Sequence, residues 1–403
     1  MRPRGERIDV RLRLGPERVE RVDILSDRTT TAAAVLEGKP VQDALGLLPL
    51  LFALCGVGQL TAGLRAVEAA MGIVVPPQER VARALLVAAE TVSEHATRML
   101  VDWPRLIGAE ADIEGARRVR EAAAALQRAL YPDPRLRGRI GGGAGPVAAV
   151  AVASAAELAG AVADAVLGAP AGVMADAGDL ADWIDGADTM PAQVLRAVLR
   201  EGLADAGVSR VPLLPAIDPY RLAARLDRTD VAAFLRAPEW DGVVYETGPL
   251  ARHGAQPAVA ALRARHGDGV LARLAARVVE TAVEARKIVR LAPTSCDTTA
   301  TVEEPAGPAA GAGDAAVHWG LGVEEAARGR LFHHVVVAHG RVARWRILAP
   351  TEWNFHARGA LAEGLRRLPV SDAARVRRAA DWMVMALDPC VACAVRVEGP
   401  AHA

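Results

Sequence analysis

Two cysteines stand near the C-terminus in Asp388-Pro389-Cys390-Val391-Ala392-Cys393, with Arg396 three residues further on. A C-x-x-C pair can grip one soft metal ion, because thiolates select nickel, zinc, copper(I) or iron over hard cations. Far upstream, Leu54-Cys55-Gly56-Val57-Gly58 reads as a C-G-x-C element whose second cysteine has become glycine. One intact pair and one broken pair describe a metal site that was inherited and then altered.

Plainer chemistry is open to the same residues. A redox C-x-x-C belongs in a thioredoxin-like fold, but no βαβ pattern surrounds this one. A structural zinc site needs two further ligands at ordered spacing, and His402 and Cys55 would supply them only by accident. Cys55 alone is a candidate buried structural cysteine, and Cys296 reads as an ordinary free thiol. Arg328 and Glu325 could form a simple salt bridge. Neighbours on a strand point to opposite faces, so His333 and His334 cannot easily share an ion. Trp345 and Trp353 read as packing residues.

Composition narrows the classes. The 403 residues allow two domains or one large one. Lys+Arg and Asp+Glu are equal at 48, and zero net charge argues against nucleic acid, which needs a basic surface. Four cysteines make no disulfide framework, and Met1–Gly5 resembles no signal peptide, so a reducing cytoplasm is expected. The uncharged stretch Ala44 to Leu64 is long enough to span a bilayer, yet its Pro49, Gly46, Gly56 and Gly58 favour a buried helix with a turn. No membrane span is expected. Gly141-Gly142-Gly143 completes no phosphate-loop motif.

Periodicity supplies the scaffold. Ile8 to Ser26 alternates around Gly15-Pro16 as a hairpin, within an N-terminal part covering residues 1–30. Helices are expected over Val41–Met71 with a break at the cysteine turn, from Pro77 to Trp103, and over Leu106–Leu130, Ser154–Val166, Pro191–Ala204, Val231–Arg236 and Ala258–Val289. Residues 294–317 read as irregular and lacking core residues. Leu331–Ala338 and Val342–Leu348 read as strands joined by His339-Gly340, followed by helices over Ala357–Leu368 and Ala373–Ala386. The expected class is mainly α with small antiparallel β parts (α+β), in one domain spanning 1–403.

Five segments then resemble, in order, the large subunit of nickel–iron hydrogenases. They are Leu36-Glu37-Gly38-Lys39-Pro40 with Asp43-Ala44, Glu246–Arg252 (a Gly-Pro-Leu-Ala-Arg element), and Glu325-Ala326-Ala327-Arg328-Gly329-x-Leu331-x-His333. Ala349-Pro350-Thr351-Glu352-Trp353-Asn354 resembles the family's Pro-Thr-Thr-Trp-Asn turn, and the closing element is Asp388–Arg396, with arginine where histidine is usual. The resemblance implies a hydrogenase large-subunit-like fold with a central helix bundle. It also implies that Cys55 and Cys390 match terminal nickel ligands and Cys393 a bridge to iron, with Arg328, Asp388 and Glu94 around them. The family's first element, Arg-x-Cys-Gly-x-Cys-x-x-x-His, here keeps only Cys55 and Gly56: Ala53, Gly58 and Ala62 replace the rest. Asp9 is the nearest counterpart of the family's N-terminal acid, a weak match.

With Glu90, Glu94-His95 and Asp102-Trp103-Pro104, these departures make the chain similar to the HupK/HoxV-type hydrogenase expression/formation proteins. That resemblance implies no catalysis and no nickel. It implies instead a transient iron carrying cyanide and carbonyl ligands, held by Cys390, Cys393 and Cys55 during large-subunit assembly. The implied partners are the hydrogenase large subunit and maturation chaperones. A metal-free chaperone and a divergent hydrogenase are the alternatives. Only Val397 to Ala403 follow Arg396, a stub short for processing by a nickel-checking protease.

Overall fold

The computed structural model describes residues 6–144, 149–169, 177–294 and 317–399. The expected irregular segment, apart from its end residues, and Cys296 lie outside them.

The chain begins and ends in one three-stranded sheet. Strands β1 (Arg7–Leu14) and β2 (Val19–Ser26) pair antiparallel, as the alternation predicts, and their buried Ile8, Val10, Leu12 and Val22 face the core. The alternation does not show that the last strand joins them. Ala392–Glu398 (β6) adds to β1 in parallel, with Ile8 beside Cys393. This sheet is therefore mixed, a correction to the antiparallel expectation. Parallel pairing links residues far apart in sequence, which local periodicity does not encode.

Helices α1 (Val41–Leu51) and α2 (Gly56–Met71) meet at 98° across the cysteine turn, where Phe52 leaves helical geometry. The uncharged stretch is thus a bent pair. Next come α3 (Pro77–Thr97), α4 (Ile113–Leu130) and α5 (Ala149–Val162). α3 stops before Trp103 and passes into a wide turn at Arg98–Asp102 and a tight one at Trp103–Ile107. Residues 106–112 are not α-helical as expected: Gly108 adopts a left-handed cap, and Asp112 then caps α4 through the amide of Gly115.

The chain continues through α6 (Ala177–Gly186), α7 (Met190–Arg200), α8 (Pro219–Leu226), α9 (Val231–Arg236) and α10 (Pro249–His253). The predicted helix over 258–289 is two, α11 (Pro257–His266) and α12 (Val270–Thr294), broken where Gly267 adopts positive φ. The second sheet has order β3 (Val317–Ala326), β4 (Gly329–Ala338), β5 (Arg341–Leu348). Helices α13 (Pro350–Asn354), α14 (Ala360–Arg366) and α15 (Ala373–Leu387) close the helical part.

Helices α3, α4, α5 and α12 pack together as the central bundle around residues such as Leu85, Val92, Leu126, Leu158 and Val279. One helical run, Ala149–Leu167, is long and apolar enough to cross a membrane by length and composition; 44% of it is buried, and α5 within it packs on α4 and α12. Elsewhere β3 lies directly on α2. Its Gly320 and Gly322 permit this, because a Cβ at either would overlap the α2 carbonyls of Ala66 and Ala62. That close approach fixes the start of α2, and hence Cys55, against the second sheet.

Candidate functional site

Cys55, Cys390 and Arg328 sit where elements end. Cys55 occupies the turn entering α2, whose first amides lack partners within the helix. Glu90 of α3 supplies them: the amides of Val57 and Gly58 donate to its Oε1 and Oε2 at 2.8 and 2.9 Å. Burial raises the Glu90 carboxyl to about 7, against the lowering effect of those two amides. Cys390 follows α15, which Asp388 terminates in the left-handed region at φ 52°. Arg328 lies in the tight turn between β3 and β4, made possible by Gly329 at φ 138°.

These ends converge on a cavity of about 240 Å³ lined by Cys55, Cys390, Arg328, Arg28, Gln59 and Thr351, with Phe52, Leu331 and Val391 among its apolar walls. Gln59 Nε2 donates to the Cys55 sulfur at 3.6 Å, and His333 is 2.8 Å from the Gln59 carbonyl oxygen. Thr351 Oγ1 lies 3.3 Å from the Cys390 sulfur. Burial pushes the Cys55 thiol up to about 12, reinforced by Glu90 and Cys390 and opposed by Arg328 and Gln59.

Arg28 is the residue that sequence reasoning missed. Its Nη1 donates to the Cys390 sulfur, and its Nε donates to Glu352 Oε1 at 2.8 Å. Glu352, in the position where the resembled turn has its second threonine, is buried, and burial raises its carboxyl although Arg28 opposes this. The one available signal was that acid in a threonine position: a buried carboxylate requires a cation.

Beneath the cavity lies a buried ionic lattice. Asp388 receives Arg98 Nε at 2.8 Å and Arg277 Nη1 at 3.0 Å, and Arg328 Nε stands 3.5 Å away. Burial alone would raise its carboxyl, yet Arg328, Arg277 and Arg98 hold it at about 2. Glu94 accepts from Arg328 Nη2 at 3.1 Å. Arg328 Nε faces Asp388, while its Nη1 makes no hydrogen bond although it is buried, so this cavity-lining cation keeps a donor free. His95 accepts from Arg277 at Nδ1 (3.1 Å) and therefore donates from Nε2 to Glu280 (2.8 Å).

Of the expected metal residues, the structure brings Cys55 and Cys390 together and leaves Cys393 aside. Cys393 pairs with Ile8 in the first sheet, packs against the main core and does not line the cavity. No group of three His, Cys, Asp or Glu side chains among the described residues is placed to hold a metal ion. The physical reason is β6, whose register with β1 begins at Ala392 and carries Cys393 into the ladder. Asp9, on β1, pairs with Arg7 at 2.7 Å and likewise lies outside the cavity lining. Arg328, Asp388 and Glu94 do form one connected network, and Glu325 is held by Arg252 and Arg330.

The nickel-dependent hydrogenase family matches residues 215–396. Over 91% of both chains, the sequence is 34% identical to the hydrogenase expression/formation protein HoxV of Cupriavidus necator. It is also 31% identical to the hydrogenase expression/formation protein HupK of Rhizobium leguminosarum bv. viciae, over 95% of this chain and 94% of that one. This chain belongs to the HoxV/HupK family of hydrogenase expression/formation proteins. The fold agrees at longer range. The reduced NiFeSe hydrogenase of Desulfovibrio vulgaris Hildenborough superimposes with a TM-score of 0.66 at 18% identity, covering 94% of each chain. The enzyme of Desulfomicrobium baculatum gives 0.63 at 16% identity. The HoxV/HupK-type chain therefore has the architecture of a hydrogenase large subunit, with glycine at position 58 beside the surviving thiols.

Proposed function

We propose that this protein is a non-catalytic carrier that receives the iron–cyanide–carbonyl moiety as cargo during assembly of a nickel–iron hydrogenase. The observation that supports it is one cavity lined by two thiols, Cys55 and Cys390, and by buried Arg328, whose Nη1 has no hydrogen-bond partner. Thiolates bind iron, and cyanide nitrogen accepts hydrogen bonds, so the donor set suits both ends of such a cargo. The cavity, at about 240 Å³, has room for far more than one water, which needs about 10–15 Å³ of such space. With glycine at 58, fewer thiolates hold the iron than in a four-thiolate site, which favours release.

On this reading the donors are maturation chaperones carrying the iron moiety, and the recipient is the hydrogenase large subunit whose shape this chain copies. Assembly would take place in the cytoplasm. Serine at Cys55 or Cys390 tests the proposal in cells: hydrogenase activity should be lost with the variant protein still abundant. Normal activity in the double variant would replace the carrier by a chaperone that needs no metal.

A further inference from the structure

We propose that the Arg28–Glu352 pair excludes a bare divalent ion, nickel(II) above all, from the cavity while admitting an iron already neutralised by cyanide. The proposal rests on the reading of Cys390 as a cargo thiol and adds what decides which metal it takes.

The Arg28 side chain is only 14% exposed and that of Glu352 7%, so the guanidinium is fixed at the Cys390 sulfur rather than waving in solvent. Two elements far apart in sequence make this contact, the segment after β2 and helix α13. Glu352 takes Nε, which leaves Nη1 to donate to the sulfur. A buried guanidinium that donates to the sulfur adds positive charge where a metal ion would bind. Repulsion between a guanidinium and a dication is strong where water is scarce. Each cyanide on iron(II) carries one negative charge, so the cargo enters with its positive charge largely cancelled. Arg28 therefore repels nickel(II) and tolerates the loaded iron, with Arg328 on another wall acting in the same sense.

The test replaces both members of the pair, R28M/E352Q, so that no unpaired buried charge is left behind. Metal-free protein is titrated anaerobically with nickel chloride, and thiolate-to-nickel charge-transfer absorption and calorimetry are recorded. The double variant should bind nickel at least tenfold more tightly than wild type and lose that gain when C390S is added. Equal affinities in wild type and a folded double variant would overturn the proposal, as would a gain that survives C390S. If the double variant fails to fold, the single variant R28Q, which removes the cation at the Cys390 sulfur, serves in its place, with a gain of at least threefold that is lost on adding C390S expected and no gain overturning the proposal. Because only inorganic nickel is used, a negative result leaves the iron-carrier reading untouched, and absence of iron cargo in cells removes the admission of iron but leaves the exclusion of nickel standing.

Discussion

The indole nitrogen of Trp345 lies 3.1 Å from Nδ1 of His333, and that contact fixes the direction of a hydrogen-bond chain ending on Cys55. An indole N–H can only donate, so Nδ1 accepts and the proton of the neutral ring sits on Nε2. Nε2 then donates to the Gln59 carbonyl, and the Gln59 amide donates to the Cys55 sulfur. Burial lowers His333 to about 3, so the ring stays neutral and the direction holds across physiological pH. Trp345, expected only to pack, thus reaches the candidate site through two side chains. Trp345→Phe keeps one aromatic ring, removes the donor and leaves a small void. It should cost about 2–4 kcal/mol in urea unfolding and shift the cyanide bands of the loaded protein. Unchanged bands would mean the chain does not reach the cargo.

Position 58 has room for a Cβ. A Cβ there would stand 3.4 Å from Ala326 Cβ and 3.4 Å from Glu90 Oε2, ordinary contact distances. Gly58→Cys should therefore fold with a Tm within a few degrees of wild type. It should also slow the loss of iron to a chelator, about tenfold or more, measured from iron content over time. Release as fast as in wild type would show that the missing thiol is not what makes the grip weak.

The two C-terminal cysteines should differ. Cys390 lines the cavity and Cys393 sits in the β1–β6 ladder. Iron content should fall close to zero in Cys390→Ser and stay within about half of the wild-type value in Cys393→Ser. Equal loss in both would mean that β6 leaves its register with β1 when cargo binds.

Asp388 is the anion shared by Arg98, Arg277 and Arg328. Removing one partner of a buried ion pair strands the others, at about 3–5 kcal/mol. Asp388→Asn should lose stability of that order in urea at pH 7. A loss below about 1 kcal/mol would show that the arginines find other partners.

The pH dependence can be signed residue by residue. Burial lowers His95 to about 4, so between about 4 and 6.5 the unfolded chain binds more protons than the folded one. This residue's contribution to stability therefore grows as pH rises through that window and is lost on acidification, on the order of 1 kcal/mol per pH unit. Glu90, raised to about 7, works in the opposite sense, its contribution falling as pH rises from 4.5 to 7. Comparing variants separates the two. His95→Gln should flatten the acid limb of urea stability against pH relative to wild type, whatever its overall level. An unchanged slope would contradict the neutral, buried His95.

Much of this was legible in the residues. The cysteine turn, the hairpin, the β4–β5 pair and α9 follow from local periodicity and from glycine and proline, whose effects are local. Arg328, Asp388 and Glu94 were found through the motifs that carry them. What stayed hidden depended on contacts distant in sequence. The β1–β6 pairing removes Cys393 from the cavity, and the Arg28–Glu352 pair joins positions 324 residues apart. β3 was missed because its glycines, which let it lie on α2, read as breakers in a strand.

As an assembly carrier, the chain should hold iron with its diatomic ligands and no nickel. This is tested most directly by infrared spectroscopy with metal analysis, on protein purified anaerobically from cells that express the hydrogenase maturation genes. Cyanide and carbonyl stretching bands, iron approaching one per chain and nickel near zero are expected, with bands and iron both lost in Cys390→Ser. Folded wild-type protein without bands or iron, or with stoichiometric nickel, would contradict the carrier role.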